Sequence, residues 1–175
     1  MPEPRQSTES RAKGAVTSPL ARELKKRRDF ELPEEEAFLN ILRTANELSG
    51  PFEALFKGFD LSEATYNMLR ILRGAGEHGR MCSEISEHMV ARVPDVTRLV
   101  DRLEKQGLAT RKRCKEDRRA VYVVITKAGL DLAAKLDGPV RELHRAQLSH
   151  LSKADLVALN RLLVKARAHA AGAND

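Results

Sequence analysis

Residues 96 to 108 read VTRLVDRLEKQGL, and residues 109 to 126 continue ATRKRCKEDRRAVYVVIT. In the first stretch Val96, Leu99, Val100 and Leu103 recur at helical spacing, while Thr97, Arg98, Asp101, Arg102 and Lys105 fall on the opposite side. The spacing predicts an amphipathic helix that packs one face and leaves a basic face free. Gly107 supplies a left-handed stop, and Leu108 sits where a Schellman cap folds it back onto Leu103. Two β-rich segments follow, Leu108 to Cys114 and Ala120 to Thr126, joined by a tight charged tip at Lys115-Glu116-Asp117-Arg118. A basic helix followed by a hairpin wing is a device for gripping nucleic acid.

The distribution of charge agrees. The formal net charge of +6 says little by itself. By segment it is uneven: residues 92 to 119 carry ten basic and five acidic side chains, residues 1 to 30 carry eight and four, and residues 31 to 91 carry five and eleven. Positive charge gathers on the helix and wing, where phosphate contacts are needed, and again near the start of the chain. A basic run in isolation reads equally as a solvated face; the adjoining wing and preceding short helix favour DNA.

The chain has 175 residues, 42% of them hydrophobic, enough for one core of ordinary size and a tail. No apolar stretch approaches the length of a membrane span, and Pro2, Glu3, Pro4 and Arg5 do not make a signal peptide. A cytoplasmic protein without membrane contact is expected. Two cysteines, Cys82 and Cys114, do not form a disulfide framework of the secreted kind.

Working outward, residues 1 to about 20 lack apolar periodicity and read as disordered, and Ala21 to Phe30 as a basic turn or short helix. A long helix is predicted from Pro33 or Glu34, its dipole matched by Glu34, Glu35 and Glu36, with Phe38, Leu42, Ala45, Leu48, Phe52, Leu55, Phe56 and Phe59 as its stripe. Leu61-Ser62 caps a helix with Tyr66, Leu69 and Leu72, and Ser83 to about Val90 forms a short helix with Ile85 and Met89 inward. Thr126 caps a helix carrying Leu130, Ala133, Leu136, Val140, Leu143 and Leu151, and Ser152 with Asp155 opens a last one. The fold class is mainly α with a small β part (α+β): a winged helix-turn-helix with flanking helices.

These pieces, in this order, carry a resemblance. VTRLVDRLEKQGLATR at 96 to 111, EDRRAVYVVITKAG at 116 to 129 and the weaker LSEATYNMLRIL at 61 to 72 are similar to the MarR family of winged helix-turn-helix transcription regulators. The resemblance spans about residues 34 to 170. It implies a homodimer built from the first and last helices, acting on double-stranded DNA, as a repressor released by a small ligand. It divides the chain into a disordered or loosely ordered basic tail at 1 to 33, a dimerisation helix at 34 to 60, a DNA-binding lobe at 61 to 126 and dimerisation helices at 127 to 175.

The recognition helix, about Val93 to Gln106, is expected in the major groove, with Pro94, Asp95, Thr97, Arg98 and Arg102 as its outward positions. By resemblance to the family's Asp-x-Arg wing, Arg119 reaches a minor groove while Asp117 braces it, and Arg113, Lys115 and Arg118 touch phosphates. The chain departs from the family in having Arg92-Val93-Pro94 where a polar cap usually precedes that helix, and Cys82 where a hydroxyl residue is common. The resemblance also implies a cleft for an aromatic or anionic effector, drawn here from Phe52, Phe56, Tyr66, Arg70 and Arg73.

Other readings stay open. Cys114 between Arg113 and Lys115, and Cys82 near a helix N-terminus, are settings that favour thiolate and oxidation, so a thiol redox switch is one alternative. A winged-helix module that binds proteins rather than DNA is another, though it predicts a neutral or acidic outer face. An enzyme lacks machinery. Gly74, Gly76 and Gly79 in GAGEHG satisfy a Gly-x-Gly-x-x-Gly pattern but follow a helix rather than a strand, the five histidines lack metal spacing, and neither a P-loop nor a serine elbow is present. No catalytic residue, metal or cofactor is expected.

Overall fold

A computed structural model describes residues 16–113 and 120–172. They belong to two compact units that divide between Ser49 and Gly50. The first opens with helix α1 (Pro19–Glu23), where Ser18 accepts from the Ala21 N–H and proline occupies the first turn. Asp29 closes the loop behind it, accepting from the backbone N–H groups of Thr17 and Ser18 at 3.0 Å and from the Thr17 hydroxyl at 2.7 Å. Arg43 of helix α2 (Pro33–Lys57) pairs with Glu23 at 3.0 Å. Residues 16 to 20, expected to be disordered, therefore hold definite structure, and α1 runs into the stretch from Ala21 that the sequence reads as a basic turn or short helix. Side-chain to backbone bonds supply the order where apolar periodicity is missing.

The division between the units falls within α2. Among residues 33–49, Phe38 and Leu42 are more than half exposed.

The second unit holds the core. Helix α3 (Glu63–Ala75) starts in a reciprocal cap: the Ser62 N–H donates to the Thr65 hydroxyl at 2.8 Å and the Thr65 N–H to the Ser62 hydroxyl at 3.2 Å. Tyr66, Met68, Leu69 and Leu72 are its buried face. They join Ile85 of α4 (Cys82–His88), Val100 and Leu103 of α5 (Val96–Lys105), and Val123 and Ile125 of β2 (Val121–Ile125) in one cluster. Helix α4 ends at His88, short of the expected Val90, whose N–H is instead taken by the Asn67 side chain at 2.9 Å.

Strand β1 (Ala109–Arg113) pairs antiparallel with β2, from Ala109 opposite Ile125 to Arg113 opposite Val121. On the other edge of β2, Arg80 exchanges backbone hydrogen bonds with Val123 at 3.0 and 2.8 Å. The last glycine of GAGEHG serves that contact: Gly79, at φ +68°, lies so near Val123 that a Cβ would stand 2.4 Å from its carbonyl oxygen. The pattern is a turn, not a nucleotide loop.

Helix α6 (Lys127–Leu148) buries Ala133, Leu136 and Val140, and Leu136 and Val140 belong to the same cluster as α3 and α5. The boundary expected between 126 and 127 thus does not divide the core. Helix α7 (Lys153–Gly172) begins with Ser152 and Asp155 bonded reciprocally at 3.1 and 3.2 Å, and leaves Val157, Leu162 and Val164 exposed. Among the described residues, no helix is long and apolar enough to cross a membrane.

The first turn of α6 is pressed against the end of α5. The Thr126 hydroxyl donates to the Gly107 carbonyl at 2.7 Å, and a Cβ on Gly129 would lie 2.2 Å from the Leu108 carbonyl oxygen. Gly129→Ala is expected to lower unfolding stability by about 1–3 kcal/mol, the usual cost of overpacking. Urea denaturation measures it, and an unchanged midpoint would contradict so close an approach.

Candidate nucleic-acid interface

The helix expected to carry recognition is α5, and it starts at Val96 rather than near Val93. A residue before proline is disfavoured in the helical region, which keeps Val93 out of the helix. Asp95 becomes the N-cap, its carboxylate accepting the Arg98 N–H at 3.0 Å. Pro94 and Asp95 therefore precede the helix, and Asp95 has a structural duty that weakens its expected role as a base reader.

The other end is fixed as the sequence predicts. Gly107 is left-handed at φ +69°, its N–H reaches the Glu104 carbonyl at 2.9 Å, and the Leu108 N–H reaches the Leu103 carbonyl at 2.8 Å. This is a Schellman motif. Beneath the helix Val100 and Leu103 are fully buried, and Val96 and Leu99 pack against the same cluster.

Its acidic side chains are taken by β1. The Arg111 guanidinium pairs with Asp101 at 2.7 Å and with Glu104, while the Arg111 N–H donates to Glu104 at 2.7 Å. Burial works against the charge on Arg111, yet the hydrogen bond to Asp101 and the charges of Glu104 and Asp101 outweigh it, and its pKa is raised. The pairing ties wing to helix and neutralises two acids that would oppose phosphate. Thr97 and Arg98 stay exposed on the outer face, and Arg98 has no ion-pair partner among the described residues.

The remaining predicted positions divide. Arg102 is turned inward along the surface, its Nη2 donating to the Asp60 carbonyl at 3.0 Å and the Asp60 carboxylate at 3.1 Å. Arg113 is exposed at the end of β1. Cys114, Lys115, Asp117, Arg118 and Arg119 lie outside the described residues. The exposed cations Arg92, Lys105 and Lys112 flank the same elements; helical spacing already places Lys105 on the free face, while Arg92 and Lys112 are signalled only by the excess of basic residues at 92 to 119.

Of the expected effector residues, Phe52, Phe56, Tyr66 and Arg70 line one cavity of about 460 Å³. Its wall includes His144 of α6, with its ring 4.7 Å from that of Phe52, and the stretch Met89 to Pro94 that leads into α5. Phe56 and Tyr66 stack at 4.3 Å. Sequence reasoning missed His144, although it stands one helical turn from Val140 on the same face. Arg73 is not in the wall. Both its terminal nitrogens bond Asp137 of α6 at 2.9 Å, an interaction invisible in a sequence that separates them widely.

Cys82 is the first residue of α4, half-buried against the core. Among the described residues, no group of three or more His, Cys, Asp or Glu side chains is placed to hold a metal ion.

Similarity to known proteins agrees with this geometry. Residues 61–121 match the model of the MarR family. The HTH-type transcriptional repressor IacR of Pseudomonas putida is 32% identical over 130 residues, 74% of this chain and 77% of that protein. The crystal structure of a MarR transcription factor from Planctomyces limnophilus is 40% identical, covers 77% of this chain and 97% of its own, and superposes with a TM-score of 0.60. The MepR–DNA complex of S. aureus, 21% identical, shares the fold at a TM-score of 0.68 over 79% of this chain and 99% of that one. The chain belongs to the MarR family, and it is a DNA-binding transcription regulator with a winged helix-turn-helix fold.

The Arg73–Asp137 pair joins α3 to α6, and it gives a pH signature. Hydrogen bonds from Arg73 hold the Asp137 carboxyl below its ordinary value against the opposing effect of burial, with the charges of Arg73, Arg70 and Arg141 adding to the lowering. Its folded-state pKa is depressed, so its stabilisation is complete above the unfolded value near 3.8 and is lost as pH falls through the folded value. Asp137→Asn is expected to be less stable than wild type at pH 7, with the difference closing as the pH is taken well below the carboxyl's ordinary value. Thermal melts at both pH values check this; a difference independent of pH would contradict it.

Proposed function

We propose that the chain is a repressor that binds a pseudo-palindromic operator as a homodimer and is released by a small aromatic or anionic ligand. The observation that carries the reading is the outer face of α5: Thr97 and an unpaired Arg98, held at a fixed angle by a buried underside and caps at both ends. Such a helix fits the major groove, where Arg can bond a guanine edge in bidentate fashion. The wing adds further contacts: the exposed Arg113 meets phosphate, and the roles that the family resemblance implies for Lys115, Asp117, Arg118 and Arg119 complete the reading.

Two copies place two such helices on one face of the duplex, with half-sites about one helical turn apart. The exposed apolar side chains Phe38, Ile41 and Leu42 of α2, and Val157, Leu162 and Val164 of α7, are surfaces that a second copy covers. Dimerisation thus belongs to residues 34 to 60 and to the last helices. A cytoplasmic regulator that catalyses no reaction fits the names of its relatives.

The effector reading rests on the aromatic cavity. Phe52, Phe56, Tyr66 and His144 offer ring faces, Arg70 offers a cation, and Val93-Pro94 in the wall adjoins the Asp95 cap. A ligand that moves this stretch shifts the helix it introduces. A compound releases DNA only by binding the non-competent arrangement more tightly than the competent one.

A mobility shift with the duplex upstream of the chain's own gene tests the proposal. If each subunit neutralises four or five phosphates, log affinity falls with log salt at a slope of roughly −7 to −9. Arg98→Ala is expected to weaken binding by about tenfold or more, the worth of one base contact, and Arg119→Ala to weaken it as well. A benzoate or phenol from a small panel is expected to release the wild type and not Arg70→Ala. Equal retention of the duplex by wild type and both arginine variants, or no shift at low salt, would overturn the reading.

A further inference from the structure

The turn after α2 contains a residue that its local conformation does not favour. The Leu61 N–H bonds the Phe56 carbonyl at 2.9 Å and the Asp60 N–H bonds the Lys57 carbonyl at 3.1 Å, so α2 ends in a Schellman motif like that of α5. The left-handed position of such a motif is usually glycine. In α5 it is Gly107; here it is Asp60, at φ +54°. Aspartate tolerates that region better than most residues, yet less readily than glycine, and a non-glycine there points to a job for the side chain.

The job is visible in its partners. Arg102 and Gln106, one turn apart on the final stretch of α5, both reach Asp60. Arg102 Nη2 donates to the Asp60 carbonyl at 3.0 Å and to Oδ1 at 3.1 Å, and Gln106 Nε2 donates to the same carbonyl at 2.7 Å and to Oδ2 at 2.9 Å. The left-handed backbone and the carboxylate together present acceptors to two donors from one helix. The pair is well exposed, so it adds little to stability. Four directional bonds from adjacent turns do restrict how far α5 can roll about its axis or slide over the core.

We propose that Asp60 is a positioning residue for DNA recognition: by clamping Arg102 and Gln106 it fixes the roll of α5, so that Thr97 and Arg98 face the groove. Arg102 then acts on DNA through Asp60 and is not itself a phosphate contact. This rests on the reading of α5 as the helix that meets DNA, and the two can fail separately.

The test compares Asp60→Gly, Asp60→Asn, Arg102→Ala and the double variant Asp60→Gly/Arg102→Ala by thermal melting and by operator affinity over a range of salt. Asp60→Gly relieves the left-handed strain and is expected to melt no lower than wild type, yet to bind about tenfold more weakly, within the usual range for coupled neighbours. Asp60→Asn keeps both an acceptor and the tolerance for positive φ, so it is expected to rescue most of the affinity. Arg102→Ala is expected to match Asp60→Gly with an unchanged salt slope, and the double variant to be no worse than either single one. The proposal is overturned if Asp60→Gly binds like wild type, or if its weaker binding comes with a lower melting temperature. It is overturned equally if Arg102→Ala reduces the salt slope by about one per subunit, the mark of a lost phosphate contact. Failure of wild type to bind any duplex sinks the DNA reading itself.

Discussion

The burial of Val100 and Leu103 beneath α5 is the constraint on which the other features depend. Side chains of that size in a shared core hold the helix against the lobe, but apolar contact has no direction and by itself would let the helix roll. Direction comes from polar bonds at the margins. Asp95 holds the first turn, the Gly107 motif and Thr126 hold the last, Arg111 ties the flank to the wing, and Asp60 receives the far end of the outer face. A site built on a rigid element with supported side chains delivers its contacts more accurately than one carried on a loop. Arg98, exposed on the outer face and without an ion-pair partner among the described residues, is then available to a partner.

The same arrangement suggests how a regulator of this kind is switched. The cavity that gathers Phe52, Tyr66, Arg70 and His144 is closed on one side by the stretch leading to the Asp95 cap. One turn further along α3, the Arg73–Asp137 pair fastens that helix to α6. A ligand in that cavity touches both the approach to the recognition helix and the helix that the lobe is fastened to. On the proposed reading, it acts by changing the angle at which α5 is held rather than by covering the DNA surface.

Much of this was legible from residues that act locally. The alternation in VTRLVDRLEKQGL, the glycine at 107, the Ser62 and Thr126 caps and the Ser152–Asp155 pair each concern neighbours within a turn or two, and each appears in the structure as the sequence implies. What the sequence hid depends on partners far apart in the chain. The Arg73–Asp137 and Arg102–Asp60 pairs join residues too distant in the chain for any local pattern to announce. Residues 16 to 20, expected to be disordered, are ordered for a different reason: Asp29 accepts from the Thr17 and Ser18 N–H groups and Ser18 from that of Ala21, in a segment without apolar periodicity. The start of α5 was displaced because Pro94 acts on the residue before it, leaving Asp95 to cap.

The central claim is that α5 lies in the major groove with its orientation already set. Dimethyl sulfate footprinting of the bound duplex reads this directly, because guanine N7 is exposed only in that groove. The account predicts that N7 positions in two patches about one helical turn apart are protected when the protein binds. A bound duplex in which every guanine N7 reacts as in free DNA would contradict it.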